Sequence, residues 1–159
     1  MSPARFELVT CWHLPASPEA IWAQLTHPED WPQWWRGVVA VLPLECGDAA
    51  GLGACYRMSW RGALPYRVEF EMRTVRIERP RLIEGVARGG LEGVGRWTLE
   101  PYGAVTAVRY DWRVEAARPW MRALAPILRP LFTWNHGVIM RWGCEGLTRR
   151  LAAAGTALR

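Results

Sequence analysis

HLPASPEAIWAQLTHPEDWPQWWRGV, residues 13–38, joins a well-marked helix start to three indoles in a proline-interrupted turn. Ser17 is placed to cap a helix, Pro18 fits its first position, and Glu19 complements the positive end of its dipole. Ile21, Trp22 and Leu25 then fall on one helical face, and the helix ends by Pro28. A second short helix or turn carries Asp30 to Trp35. Trp31, Trp34 and Trp35 have two readings at this stage. They plug a core against a helix end, or one or two of them line and gate a cavity mouth, with Pro28 and Pro32 stiffening the turn.

On the N-terminal side, residues 6–14 alternate, with Phe6, Leu8, Thr10, Trp12 and Leu14 on one face of a strand. On the C-terminal side, strands are predicted over 38–45, 54–60, 66–78, 82–90, 92–100 and 104–115. Short connections between them argue for antiparallel hairpins. Within 66–78, Tyr66, Val68, Phe70 and Met72 hold one face, and the apolar set then jumps to Val75 and Ile77. A β-bulge near Arg73–Thr74 is the expected remedy.

The C-terminal part is helical. Pro119, Pro126 and Pro130 predict short helical pieces or an irregular arm over 118–130. One long helix is expected from Leu131 to Ala154, roughly 36 Å at 1.5 Å per residue. Its inward stripe is Phe132, Asn135, Val138, Ile139, Trp142 and Gly146, with Trp134 and Arg141 pointing away. Gly143 and Gly146 serve either close packing of the helix or space for a ligand.

The chain of 159 residues suits one domain, spanning 1–159, with a substantial core. Eleven residues are Trp, and all twenty basic residues are Arg. With no Lys, Schiff-base chemistry and a P-loop phosphate grip are excluded. The arginines alternate with acids, as in RVEFEMRTVRIER at 67–79, which reads as a solvated sheet face with cross-strand pairing rather than a nucleic-acid footprint. Cys11, Cys46, Cys55 and Cys144 lack CxxC spacing, and no metal site or cofactor is expected. His27, Glu29 and Asp30 read as a capped turn. The glycines of GLEGVG (90–95) lie between strands and lack the helix needed to cradle phosphate. No secretory leader or membrane span is recognised, so a cytoplasmic protein is expected.

The entry segment, with Leu14, Ala16 to Glu19, Trp22, Leu25, Asp30 and the Trp31–Trp34–Trp35 cluster, resembles the START-like, helix-grip superfamily (SRPBCC). The closing segment NHGVIMRWGCEGLTRRLA (135–152) resembles the C-terminal helix of polyketide cyclase/dehydrase-like and lipid-binding bacterial members. The resemblance covers nearly the whole chain. It implies an α+β helix-grip fold: a curved antiparallel sheet of about six to seven strands wrapped around a long C-terminal helix, with two short helices after the first strand. It also implies a hydrophobic cavity between sheet and helix, of the usual ligand-site size of roughly 300–1,000 Å³.

Inward positions give the expected lining: Trp12, Trp35, Tyr66, Phe70, Met72, Trp97, Tyr110, Trp112, Asn135, Ile139 and Trp142. An aromatic, polyketide-, lipid- or quinone-like ligand suits such walls. The alternative is a polyketide cyclase, aromatase or dehydrase using His136, Tyr66 or Tyr110 as acid–base. A lone His at a helix edge such as His136 is more often a surface or hydrogen-bonded structural residue, and Arg88 and Arg96 more often form surface ion pairs than meet a ligand carboxylate. A transient membrane contact through 118–134 is a third reading, weakened by its prolines. The chain is expected to be a monomer or homodimer.

Overall fold

The computed structural model describes residues 4–157. Seven strands form one antiparallel sheet: β1 (Arg5–Leu14), β2 (Val38–Glu45), β3 (Cys55–Trp60), β4 (Val68–Glu78), β5 (Leu82–Gly89), β6 (Leu91–Tyr102) and β7 (Val105–Ala116). Their order in the sheet is β1-β7-β6-β5-β4-β3-β2. Strands β2 to β7 are therefore a meander, and β1 lies on its far edge, with Arg5 opposite Glu115 and Leu14 opposite Thr106.

The chain must cross from one sheet edge to the other between β1 and β2. It does so through α1 (Pro18–Leu25), a single 3₁₀ turn at Pro28–Asp30, and α2 (Trp31–Trp34). The Ser17 side chain accepts the Ala20 N–H at the start of α1, and Ile21, Trp22 and Leu25 are buried as their spacing requires. This crossover closes one end of the space under the sheet, so the side chains on its inner face have to be apolar. Gly37, at φ +108°, then turns the chain into β2, a backbone geometry open mainly to glycine.

The bulge in β4 falls one residue later than its sequence suggests. Thr74 pairs with Gly85 and Arg76 with Glu84, leaving Val75 as the extra residue. Thr74 thus stays on the inner face, Val75 turns outward at 43% exposure, and Ile77 returns inward opposite Ile83. The outer sheet face carries the charge pairing expected of it. Arg73 grips both carboxylate oxygens of Glu45 at 2.7 and 2.8 Å, and Arg57 meets Glu71 at 3.0 Å.

The larger correction concerns the C-terminal region. A single 39-residue helix, α3 (Pro119–Ala157), replaces the expected broken arm and shorter helix. Pro126 and Pro130 are one turn apart and both exposed. The carbonyls of Arg122 and Pro126, deprived of their helical donors, can therefore bond to water, and the break expected of an interior proline is avoided. Met121, Ala125 and Phe132 meanwhile carry a buried stripe straight through the proline region.

The interior is divided lengthwise. Leu14, Ile21, Leu99, Thr106, Val108 and Leu147 are almost wholly buried where α1, α2 and the later turns of α3 meet the sheet. Thr106 hydrogen-bonds the Ala16 carbonyl at 2.6 Å in the same region. The other part, beneath residues 121–140 of α3, is not filled.

Candidate functional site: an apolar cavity with neutral polar groups

The unfilled part is a cavity of about 220 Å³ between the sheet and α3. It is smaller than the roughly 300–1,000 Å³ expected of a ligand site. The aromatic side chains account for the difference, since they project far into the space. Ala50 is exposed and Gly51 and Thr26 are half-buried, so the cavity reaches the surface between the β2–β3 turn and the end of α1. Gly51, at φ +92°, shapes that turn, and the Asp48 carboxylate accepts the Ala50 and Leu52 N–H groups at 2.9 Å.

The tryptophan cluster forms part of the cavity wall. Trp31, Trp34 and Trp35 are all buried, and Trp31 and Trp35 contribute to the wall. Trp35 is central, touching the rings of Trp12, Trp31, Trp34, Trp60 and Trp97 at centroid distances of 5.1–6.1 Å. Its indole N–H donates to the Ile139 carbonyl at 2.8 Å, and that of Trp31 donates to the Gln24 carbonyl at 3.1 Å. Rings held in this way form a fixed wall. They answer to the plug reading and the lining reading together.

Gly143 and Gly146 make room for these rings. A Cβ at Gly143 would lie 2.3 Å from the Trp35 indole, and one at Gly146 would lie 1.8 Å from the Trp34 carbonyl oxygen. The glycines therefore serve close packing, against the crossover segment, and not ligand space.

Of the residues expected at the site, Trp35, Tyr66, Phe70, Met72, Trp97, Tyr110, Trp112, Asn135, His136 and Ile139 all face the cavity. Trp12 and Trp142 do not. Trp12 is buried behind Trp35 and Trp97. Trp142 sits beside Gly37, with the Arg36 guanidinium 4.3 Å above its ring. Arg96 pairs with Glu84 at 2.6 Å outside the cavity, and Arg88 is exposed.

Tyr56, Met58 and Trp60 of β3 and Met121 of α3 also line the cavity, beyond the residues expected from sequence. The period-two spacing of Tyr56, Met58 and Trp60 carries the signal that would find them. The expected proline break hides Met121.

The polar groups on the wall differ in how they are held. The Asn135 carbonyl oxygen accepts the Leu64 N–H at 3.1 Å, and its amide donates to the Tyr66 hydroxyl at 3.5 Å. Asn135 thereby ties the β3–β4 loop to α3, and Gly62 in that loop is needed for the fit, since a Cβ there would lie 2.2 Å from the Asn135 oxygen.

Tyr110 is stacked on Trp97 at 4.2 Å and flanked by Trp112 at 5.8 Å. Its hydroxyl lies over Gly95, where any side chain would collide with it at 2.6 Å. No hydrogen bond from Tyr110 or His136 side chains occurs among the described residues. Both are deep in the protein yet half-buried by surface, because the surface they keep faces the cavity.

Burial fixes the charge state of this wall. It pushes the Tyr110 phenol far above its ordinary value and raises that of Tyr66, whose bond to Asn135 offsets part of the rise. Both phenols are thus donors at neutral pH and not bases. Burial lowers His136 to about 4, so its imidazole is neutral at pH 7. Among the described residues, no Arg, Asp or Glu lines the cavity. The site can solvate a neutral molecule with an oxygen or two, and it offers nothing to neutralise a buried ion.

The chain belongs to the family described as polyketide cyclase / dehydrase and lipid transport, which matches residues 5–153. Its fold is the START-like helix grip. TTHA0849 from Thermus thermophilus is similar at 19% identity and a TM-score of 0.75, covering 94% of this chain and 99% of that one. A START superfamily protein from Mycobacterium smegmatis is similar at 16% identity and a TM-score of 0.75, covering 93% and 98%. The Zhui aromatase/cyclase from Streptomyces sp. R1128 is similar at 15% identity and a TM-score of 0.66, covering 98% and 96%. At these identities the likeness is one of fold. No curated protein matches the chain by sequence.

Proposed function

We propose that the protein binds a neutral hydrophobic small molecule, aromatic in part and bearing a carbonyl or hydroxyl oxygen, in the cavity beneath α3. The observation that carries this reading is a wall of apolar and aromatic side chains whose polar groups are all uncharged. An engineered cavity of roughly 150 Å³ takes benzene in another protein. A cavity of about 220 Å³ therefore suits a ligand of one or two rings with the side chains as they stand. Each 100 Å² of apolar ligand surface buried contributes about 2.5 kcal/mol. The Tyr110 hydroxyl, without a hydrogen-bond partner among the described residues, is the natural donor to a ligand oxygen, with the His136 ring as a second polar contact. The family's inclusion of lipid transport and polyketide cyclases supports the same ligand class.

The test is native mass spectrometry of the purified protein, followed by solvent extraction. A neutral hydrophobic compound carried at near-stoichiometric occupancy is the expected result. The reading fails if the protein is empty from every host and takes up no added neutral aromatic compound.

A cyclase- or dehydrase-type enzyme is the second reading, and one observation favours it. The His136 ring stands on the cavity wall without a hydrogen-bond partner among the described residues. Its lowered proton affinity makes it a weak base at neutral pH, which places binding ahead of catalysis. Turnover abolished in His136→Ala with affinity for the same compound retained would reverse that order.

A further inference from the structure

The proline-containing half of α3 presents a second apolar face, pointing away from the cavity. Trp120, Leu124, Ile127, Leu131 and Trp134 are exposed by 41, 42, 77, 40 and 52%. Their spacing of four, three, four and three residues places them in one narrow stripe along the helix. The stripe runs about 21 Å at 1.5 Å per residue and has a tryptophan at each end.

Its surroundings are basic. From Glu115 to Glu145 the sequence contains no acidic residue, while Arg118, Arg122, Arg129 and Arg141 fall in that interval. The β3–β4 loop runs alongside, held by Asn135 and by the contact of Tyr66 with Trp120 at 5.8 Å, and it contributes Arg61 and Arg67. Arg61, Arg67, Arg118 and Arg141 are exposed and have no ion-pair partner among the described residues. On the outer sheet face, Arg57, Arg73, Arg76, Arg96 and Arg109 have carboxylate partners, while Arg88 and Arg113 have no ion pair among the described residues.

We infer that this stripe is a docking face for an anionic lipid bilayer, with α3 lying along the membrane surface. Tryptophan suits the headgroup boundary, aliphatic residues suit the acyl layer beneath it, and the unpaired arginines match anionic headgroups. Pro126 and Pro130 fit the same depth, because the carbonyls they release keep access to interfacial water. No helix among the described residues is long and apolar enough to cross a membrane, so α3 rests on the bilayer. A second copy of the chain is a poorer occupant, since a two-fold contact would bring the same unpaired arginines together. The docking face is separate from the cavity reading: membrane binding reports on the helix surface whether or not the interior holds a ligand.

Flotation of the full chain with phosphatidylcholine vesicles, with and without phosphatidylglycerol, tests the inference. The protein is expected to float with the phosphatidylglycerol vesicles and to be released by high salt. Ile127→Glu combined with Trp134→Glu should lower the partition coefficient about tenfold or more, with circular dichroism unchanged because both side chains are solvent-exposed. Arg61→Gln combined with Arg67→Gln should weaken binding severalfold and flatten its salt dependence. Absence of flotation, or equal flotation of wild type and the glutamate variant, overturns the inference. So does sedimentation showing a dimer that the glutamate variant disperses, since the stripe would then be a self-association face.

Discussion

The Trp35 indole N–H donates to the Ile139 carbonyl at 2.8 Å, with its ring pressed against Gly143 one turn further along α3. The crossover segment is fastened to the helix at this point. A methyl group at Gly143 would meet the Trp35 ring at 2.3 Å. Gly143→Ala is therefore expected to cost about 1–3 kcal/mol through overpacking. That outweighs the gain of about 0.5–1 kcal/mol from replacing a helical glycine. Gly137→Ala is the control, because no atom apart from its neighbours and the local helix backbone lies within 4 Å of its Cβ position. Urea denaturation should show Gly143→Ala destabilised and Gly137→Ala stabilised; a gain for both would mean that Trp35 is not held tightly.

Tyr110→Phe removes a hydroxyl without a hydrogen-bond partner among the described residues and should leave thermal stability nearly unchanged. It should weaken binding of 2-naphthol, followed by tryptophan fluorescence quenching, by about 2- to 12-fold, corresponding to one hydrogen bond of about 0.5–1.5 kcal/mol. Naphthalene, which has no oxygen, should bind both proteins alike. Ionised 2-naphthoate should bind the wild type at least about tenfold more weakly than 2-naphthol, because the cavity holds no cation. Equal affinity for naphthol and naphthoate would refute the neutral-ligand reading.

His136 couples stability to pH. Its ordinary value is 6.5, and burial lowers the folded form to about 4. Above 6.5 both folded and unfolded imidazoles are neutral, and the stability is complete. As pH falls from 6.5 toward 4, the unfolded chain takes up a proton that the folded chain refuses, so stability declines, and the loss levels off below 4. The full effect is on the order of 3 kcal/mol at most. Comparing wild type with His136→Phe at pH 7.5 and pH 5 isolates it: the variant should lose less stability on acidification.

Asn135→Ala leaves the Leu64 N–H without its acceptor and should cost about 1–3 kcal/mol. Hydrogen exchange gives a local reading of the same event. The Leu64 amide should exchange faster in the variant, while amides paired between β6 and β7 are unaffected below the global unfolding limit.

Much of this fold is legible in the chain because its strands alternate and its first helix carries both cap and proline in their usual places. The cavity wall is less so. An inward side chain looks the same in sequence whether it reaches a neighbour or stops short of one, and Trp12 and Trp35, both inward, end up behind the wall and on it respectively. Trp142 follows the helical period yet sits outside the cavity, beneath the Arg36 guanidinium. The prolines of α3 mislead for a related reason. A sequence records the lost N–H, but not the solvent exposure that leaves the orphaned carbonyl open to water.

Pairing of the first strand with the seventh has a consequence for synthesis of the chain. Phe6, Trp12 and Leu14 leave the ribosome about a hundred residues before Val114, Val108 and Thr106, the residues they face across the β1–β7 ladder. Until then β1 has no neighbour in the sheet, and its greasy side has no native cover. Newly made chains interrupted before residue 116 would expose that strand to chaperones or to one another, whereas the finished chain conceals it.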